Sequence, residues 1–319
     1  MRAVRLSCAL GITLALALAA CGDDSGSGGS GGSGGSTTST TSSTKSATSS
    51  TGSTGSTTTT GSTTTSSTGT TTGVGGGVDA DHLVINEVVV AGNEDEFVEI
   101  HNPTATAVAL DDYYLSDNST YVDVASGAAW DPITNNPGTD FLARFPAGAT
   151  IPAGGYLVIG FDPGYEASWG GCPDYFVATA PISCNGQMVP VLEQTDKGSI
   201  TDGSNLSNMR EMLVLFTWTG DTNDTLQDVD YVTWGDMFEA GSRADKSAVM
   251  GYQADTPVDM QSGAPVPGAG SSIERCGPEV GETLTGGNGL TGHDETSEVL
   301  ASSFFVEAAP TPGAANVCP

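Results

Sequence analysis

Between Leu83 and Pro319 every apolar run is short, and each is closed by glycine, proline, asparagine or aspartate. The clearest runs are Leu83–Val90, Glu96–His101, Tyr113–Ser116, Tyr156–Phe161, Met212–Trp218 and Val229–Trp234. β-Branched and aromatic residues dominate them, and no longer segment sustains a 3.6-residue apolar period. Strands and turns are therefore expected, not helices. In the Met212–Trp218 run, Met212, Val214, Phe216 and Trp218 alternate with Leu213 and Leu215. Apolarity on both faces marks a central sandwich strand, with a buried helical turn as the alternative that periodicity alone leaves open. Val229, Tyr231 and Thr233 alternate against Asp228 and Asp230, which reads as a strand with one solvated face. Many short strands without helices pack as an all-β sandwich.

The preceding chain cannot do this. From Asp23 to about Asp79 it is almost wholly Gly, Ser and Thr, with no aromatic residue, and it has too little apolar surface to offset the entropy of ordering. It reads as a flexible tether with an r.m.s. span of roughly 40 Å. Gly28–Gly32 formally matches a G-x-S-x-G elbow, but a low-complexity tract supplies neither the strand nor the helix such an elbow needs. Ahead of the tether, Arg2 and Arg5 precede an apolar stretch, Leu6–Ala20, too short to span a bilayer. It ends in Leu18-Ala19-Ala20-Cys21, which resembles the lipobox of bacterial lipoproteins, with the Cys21 thiol as the atom that would take the lipid. The expected organisation is a signal peptide over 1–20, a lipidated Cys21 with a linker over 21–81, and a folded domain over 82–319. Gly22 stands where an aspartate would favour inner-membrane retention, so the cell envelope is expected, at the outer membrane or cell surface.

Charge and cysteine usage fit export. Asp and Glu total 38 against 9 Lys and Arg, a net charge of −29. A field of that sign repels nucleic acid and anionic lipid, leaving the lipid anchor as the expected membrane contact and no nucleic acid as a partner. Cys8 would leave with the signal peptide, and Cys172, Cys184, Cys276 and Cys318 remain. Four cysteines allow three pairings. Proximity favours Cys172–Cys184 and Cys276–Cys318, worth roughly 3 and 4 kcal/mol in the chain-entropy account. A zinc site is the alternative, but no CxxC pair is present.

An ordered series of segments carries a family likeness. Leu83-Val84-Ile85-Asn86-Glu87-Val88 is followed by Asp95-Glu96-Phe97-Val98-Glu99-Ile100-His101-Asn102-Pro103 and Val108-Ala109-Leu110-Asp111-Asp112-Tyr113-Tyr114-Leu115-Ser116-Asp117. Ile151–Ile159, Ser272-Ile273-Glu274-Arg275 and Pro310–Asn316 complete it. The series resembles the lamin tail domain, which implies an immunoglobulin-like β-sandwich and brings no catalytic residue. The folded region is more than twice the roughly 100 residues such a domain needs. Asp162–Asn208 and Gly235–Gly270 are therefore expected as elaborated loops inserted between strands, with a separate small domain at 162–208 as the alternative. Loops of that length are often functional, and a specific binding surface is expected there.

Catalytic chemistry is poorly supported, so no enzyme is expected. His82, His101 and His293 stand far apart, without HxH or HExxH spacing. The cluster His293-Asp294-Glu295 underlies an alternative reading, a metal-dependent extracytoplasmic hydrolase using acidic loops. No cofactor is required, although calcium has candidate ligands in Asp111, Asp112, Asp117, Asn118 and Asp123, and in Asp221, Asn223, Asp224 and Asp228; neither set has EF-hand spacing. Trp169, Trp218 and Trp234 either form a carbohydrate-stacking face or lie buried in the sandwich. The expected function is a non-enzymatic displayed module that binds protein or glycan. Intact-mass and peptide spectrometry of the chain from its native membrane, without reductant, is expected to find an acylated Cys21 at the N-terminus. A chain beginning elsewhere would refute the anchor.

Overall fold

The computed structural model describes residues 80–90, 95–126, 139–194, 200–201, 203–235 and 241–319. The signal-peptide stretch, Cys21 and the Gly/Ser/Thr tract lie outside the described residues. In chain order the strands are β1 (Val84–Val89), β2 (Phe97–His101), β3 (Val108–Ala109), β4 (Tyr113–Ser116), β5 (Leu142–Arg144), β6 (Thr150–Ile151) and β7 (Tyr156–Gly160). A short helix α1 (Tyr165–Trp169) follows, then β8 (Tyr175–Phe176), β9 (Ile182–Cys184), β10 (Gln187–Val189) and β11 (Glu193–Gln194). The remainder are β12 (Arg210–Thr217), β13 (Gln227–Gly235), β14 (Ser272–Arg275), helix α2 (Leu300–Ser303) and β15 (Phe304–Glu307).

Two sheets form the sandwich. One has the order β15-β14-β1-β2-β7-β8 and the other β11-β5-β4-β12-β13. Their pairings are antiparallel except β7 with β8. Ile85, Val98, Ile100 and Ile159 from the first sheet meet Leu115, Leu213, Leu215, Val232 and Trp234 from the second in one core. As expected, β12 is apolar on both faces: Leu213 and Leu215 enter that core, while Met212, Val214, Phe216 and Trp218 face outward. The outward face is covered by Tyr121, Val122 and Val124 of a 3-10 turn and by Ala244 and Tyr252. At the end of β13, Gly235 has φ +86°, and a Cβ there would collide with the Met209 carbonyl oxygen, so only glycine fits.

The one-face-solvated reading of β13 is corrected. Asp228 and Asp230 are 0% and 1% exposed. Asp228 takes Lys246 Nζ at 2.6 Å and the Tyr121 hydroxyl at 2.7 Å, while Asp230 is paired with Arg275. The partners that permit this burial come from distant parts of the chain, so period-2 patterning had no access to them.

The segment 162–208 is woven into both sheets. It contributes β8 to the edge of the first and β11 to the edge of the second. It also lays α1 and the β9–β10 hairpin over the outer face of the first sheet, where Tyr165, Phe176, Cys184 and Val189 pack on Val89, Phe97 and Val158. Cys172 bonds to Cys184, and Cys276 to Cys318, the pairing that proximity favours. The segment 241–270 covers the second sheet, and Ala264 bridges to Trp234 at its edge.

The motif acids of the series meet on the first sheet. Glu87 stands opposite Glu99 on one side and Glu274 on the other. Three like charges on adjacent strands would repel, but residues 310–318 lie over them and donate backbone N–H groups. Thr311 N donates to Glu87 at 3.1 Å, Gly313 N to Glu99 at 2.5 Å and Val317 N to Glu274 at 3.0 Å. Asn316 Nδ2 reaches the carbonyls of Asn86 and Arg275. Burial still raises Glu87 to about 8, partly offset by a hydrogen bond with Ser272, and Glu99 to about 7, partly offset by Gly313 N and Asn86. A carboxyl whose folded pKa exceeds its unfolded value near 4.3 stabilises the fold fully below that value, and the contribution is lost as pH rises through the folded pKa. The thermal midpoint is therefore expected to fall as pH rises from about 5 to about 8, and Glu99→Gln to flatten that slope in a calorimetric pH series. A midpoint that instead rises over this window would contradict the assignment.

Candidate functional site

Sequence-distant histidines converge beside the start of β1. The rings of His82 and His293 lie edge to face with centroids 5.7 Å apart. His82 precedes β1, whereas His293 leads into a 3-10 turn, Glu295–Ser297, that folds against β13. Between them stand three carboxylates. His82 Nε2 is 3.1 Å from Glu279 and 3.9 Å from Glu295, and His293 Nδ1 is 3.0 Å from Glu282. Among the described residues three triads here have ligand atoms within 4.8 Å of one another: Asp81–His82–His293, and the two triads His82–Glu279–Glu295 and Glu282–His293–Glu295, which share Glu295. The site is nearly enclosed: these side chains are 1–13% exposed. Gly289 makes room, since a Cβ there would fall 2.7 Å from Glu295 Oε1.

Electrostatics ties this cluster to the sandwich. Burial opposes a charge on His82, but hydrogen bonding and attraction to Glu279, together with Asp230 and Asp81, outweigh it and lift the imidazole to about 9. Burial, and then Glu279, pushes Glu282 up to about 8. Burial and the neighbouring carboxylates hold Glu295 well above the carboxylate range. Alongside lies Arg275, fully buried, with its Nη2 at 2.8 and 2.9 Å from the two Asp230 oxygens and its Nη1 at 2.7 Å from Glu298. Arg275 Nε donates to the Ile85 carbonyl at 3.2 Å, and its guanidinium lies over Phe304.

The residues singled out by sequence divide as follows. Of His293-Asp294-Glu295, Asp294 turns away: it accepts from Thr256 and Thr296 and acts as a local brace. His101 stacks on Tyr156. The calcium candidates do not come together. Asp111 and Asp112 are exposed and engage Arg144 and Gly148, Asp123 sits in the 3-10 turn, and Asp221, Asn223 and Asp224 form an exposed turn of their own. Asp117 instead meets Asp140 and Glu211, all buried. Its Oδ1 accepts from Phe141 N at 2.6 Å, while Oδ2 has no partner among the described residues. Burial and then Asp140 raise Glu211 to about 9. Such an all-carboxylate set suits a hard cation. The tryptophans form no shared face: Trp234, Trp218 and Trp169 belong to three different apolar clusters.

Sequence reasoning missed His82, Glu279, Glu282 and the Asp117–Asp140–Glu211 set. The histidine on the doorstep of β1 and the Glu279-x-x-Glu282 spacing were the available signals, but Glu279 lies 197 positions from His82.

Two facing sheets, a disulfide-bonded insertion and a site made of buried charges define an immunoglobulin-like β-sandwich module. Residues 79–236 match the family model of the lamin tail domain, and this region belongs to that family. β14 and β15 lie beyond the matched span but complete the first sheet. A DUF4876 family protein from Bacteroides thetaiotaomicron VPI-5482, known from a crystal structure, is 13% identical, with a TM-score of 0.35 over 74% of this chain and 72% of that one. So low a score adds nothing to the assignment. No curated protein matches the chain.

Removing one partner of a buried ion pair strands the other charge, at about 3–5 kcal/mol. Arg275→Ala is expected to cost that much in denaturant unfolding, since Asp230 and Glu298 lose their cation together. A loss under about 1 kcal/mol, as for a surface pair, would show that the network contributes little.

Proposed function

We propose that this chain is a lipid-anchored envelope lipoprotein whose lamin tail sandwich binds a protein or glycan ligand and catalyses no reaction. The anchor rests on the lipobox-like Leu18–Cys21 and the Gly/Ser/Thr tether. The observation that carries the binding reading is the cleft built by the 162–208 insertion. It has a volume of about 350 Å³, and Phe161, Asp162, Pro163, Ala178 and Ile182 line it. Its framework is fixed by the Cys172–Cys184 bond and by strands seated on both sheets. A rigid scaffold presenting a concave, mixed polar and apolar surface is what recognition needs.

One observation favours the alternative, a metal-dependent extracytoplasmic hydrolase: His293 and His82 converge with Glu279, Glu282 and Glu295. Against it stands enclosure, because a hydrolytic metal keeps an open coordination position and these side chains are 1–13% exposed.

The test uses the full-length chain solubilised from its membrane as bait in envelope extract. Wild type is expected to capture a partner, and Ala180→Arg, at an exposed position in the cleft, to weaken capture about tenfold, equivalent to 1.4 kcal/mol, at unchanged thermal midpoint. Equal capture by both, or no capture across ionic strengths, overturns the binding reading. Turnover on a broad hydrolase panel that disappears in His293→Ala would favour the alternative.

A further inference from the structure

The His82–His293 cluster has the donor set and spacing of a closed metal site. Two imidazole nitrogens with carboxylate oxygens suit zinc, a borderline-soft dication bound through nitrogen at 2.0–2.1 Å and through carboxylate oxygen at about the same length. Tetrahedral bonds of that length place neighbouring ligand atoms about 3.4 Å apart. The observed edges, 3.0 Å for His293 to Glu282, 3.1 Å for His82 to Glu279 and 3.9 Å for His82 to Glu295, bracket that separation.

Three further features point the same way. His82 Nδ1 faces Asp81 Oδ1 at 3.1 Å, so Nε2, 3.1 Å from Glu279 Oε1, is the nitrogen directed into the cluster; a metal-bound histidine is typically held by an outer carboxylate in this manner. Glu295 stands between both triads, 3% exposed in its side chain, with His82 Nε2 at 3.9 Å. A buried carboxylate needs a cation or donor beside it. Finally, the cluster draws its members from both ends of the domain, His82 just before β1 and the glutamates from 279–295. Enclosure marks a structural site.

We infer that His82, His293 and Glu295, with Glu279 and Glu282 completing the shell, bind one zinc ion that staples the entry of the domain to its 279–295 segment. On binding, the metal takes the Nε2 position of His82 and the Nδ1 position of His293, and any protons on these atoms and on the ligating carboxylates pass to solvent. Asp81 orients His82 and touches no metal.

The experiment strips the full-length chain with a chelator and titrates it with zinc sulfate and, separately, with cobalt chloride. The expected result is one equivalent of zinc bound, a raised thermal midpoint, and the visible ligand-field absorption of four-coordinate cobalt. Glu295→Gln and His293→Ala are expected to abolish the cobalt band. Asp81→Asn changes only an exposed carboxylate, so it keeps the fold and is expected to weaken zinc binding about 10- to 100-fold. It decides the matter if the ligand variants fail to fold. A stripped wild-type chain that neither binds zinc nor gives the cobalt band overturns the inference. Unaltered zinc affinity in Asp81→Asn and Glu295→Gln, or a response to calcium alone, overturns it equally.

Discussion

Arg275 is the point on which the sandwich turns. It extends from β14 in one sheet and grips Asp230 on β13 of the other with two hydrogen bonds from one nitrogen. The same aspartate accepts from the backbone N–H of Ile85 at 2.5 Å, beside the position where the β1–β2 register shifts. A bulge leaves a backbone donor without its ladder partner, and here a side chain from the opposite sheet supplies it. The guanidinium also holds Glu298 and the Ile85 carbonyl, while its own backbone carbonyl takes Asn316. One buried cation thus sets the spacing of the sheets, the irregularity in β1 and the position of the 310–318 strap. Burial still holds the Asp230 and Glu298 carboxyls above their ordinary range, and the attraction to Arg275 offsets part of that cost.

Local patterning made the framework readable. The alternation in Met212–Trp218 placed Leu213 and Leu215 on one face and Met212, Val214 and Phe216 on the other, and the structure keeps that division. Turn chemistry was equally plain: Asn102 ends β2 and binds the carbonyls of Thr106, Ile151 and Pro152. What could not be read were the interactions whose halves are far apart in the chain. Asp228 and Asp230 look solvent-facing until Lys246 and Arg275 are brought to them, and His82 and His293 look solitary for the same reason. A carboxylate is judged by its neighbours in space, and alternation reports only neighbours in sequence. The loop reading of 162–208 missed β8 and β11 because two-residue strands carry almost no periodic signal.

The molecule is unusual in how many acids it buries. On the first sheet, Glu87, Glu99 and Glu274 are met by backbone N–H groups from the strap, a neutral means of satisfying charge. On β13, Lys246 and Arg275 serve instead, and Lys246 also binds Asp255 at 2.5 Å. Around His82 the imidazoles take the part. The Asp117–Asp140–Glu211 group has Asn118 Nδ2 donating to Asp140 at 3.0 Å, yet leaves Asp117 Oδ2 without a hydrogen bond among the described residues. These four arrangements rely in turn on dipoles, fixed cations, titratable cations and protonation. The strongly negative surface therefore continues inward as a set of local charge problems, each with its own answer.

The strap has a consequence for how the chain reaches its native state. Asn86 and Asn316, 230 positions apart, exchange hydrogen bonds, and the carboxylates of β1, β2 and β14 wait on the same residues. A polypeptide that emerges N-terminus first therefore presents β1 and β2 long before the residues that donate to their glutamates. During that interval the repelling glutamates disfavour premature collapse of the first sheet. The arrival of residues 310–318 then acts as a latch on the carboxylates of β1, β2 and β14.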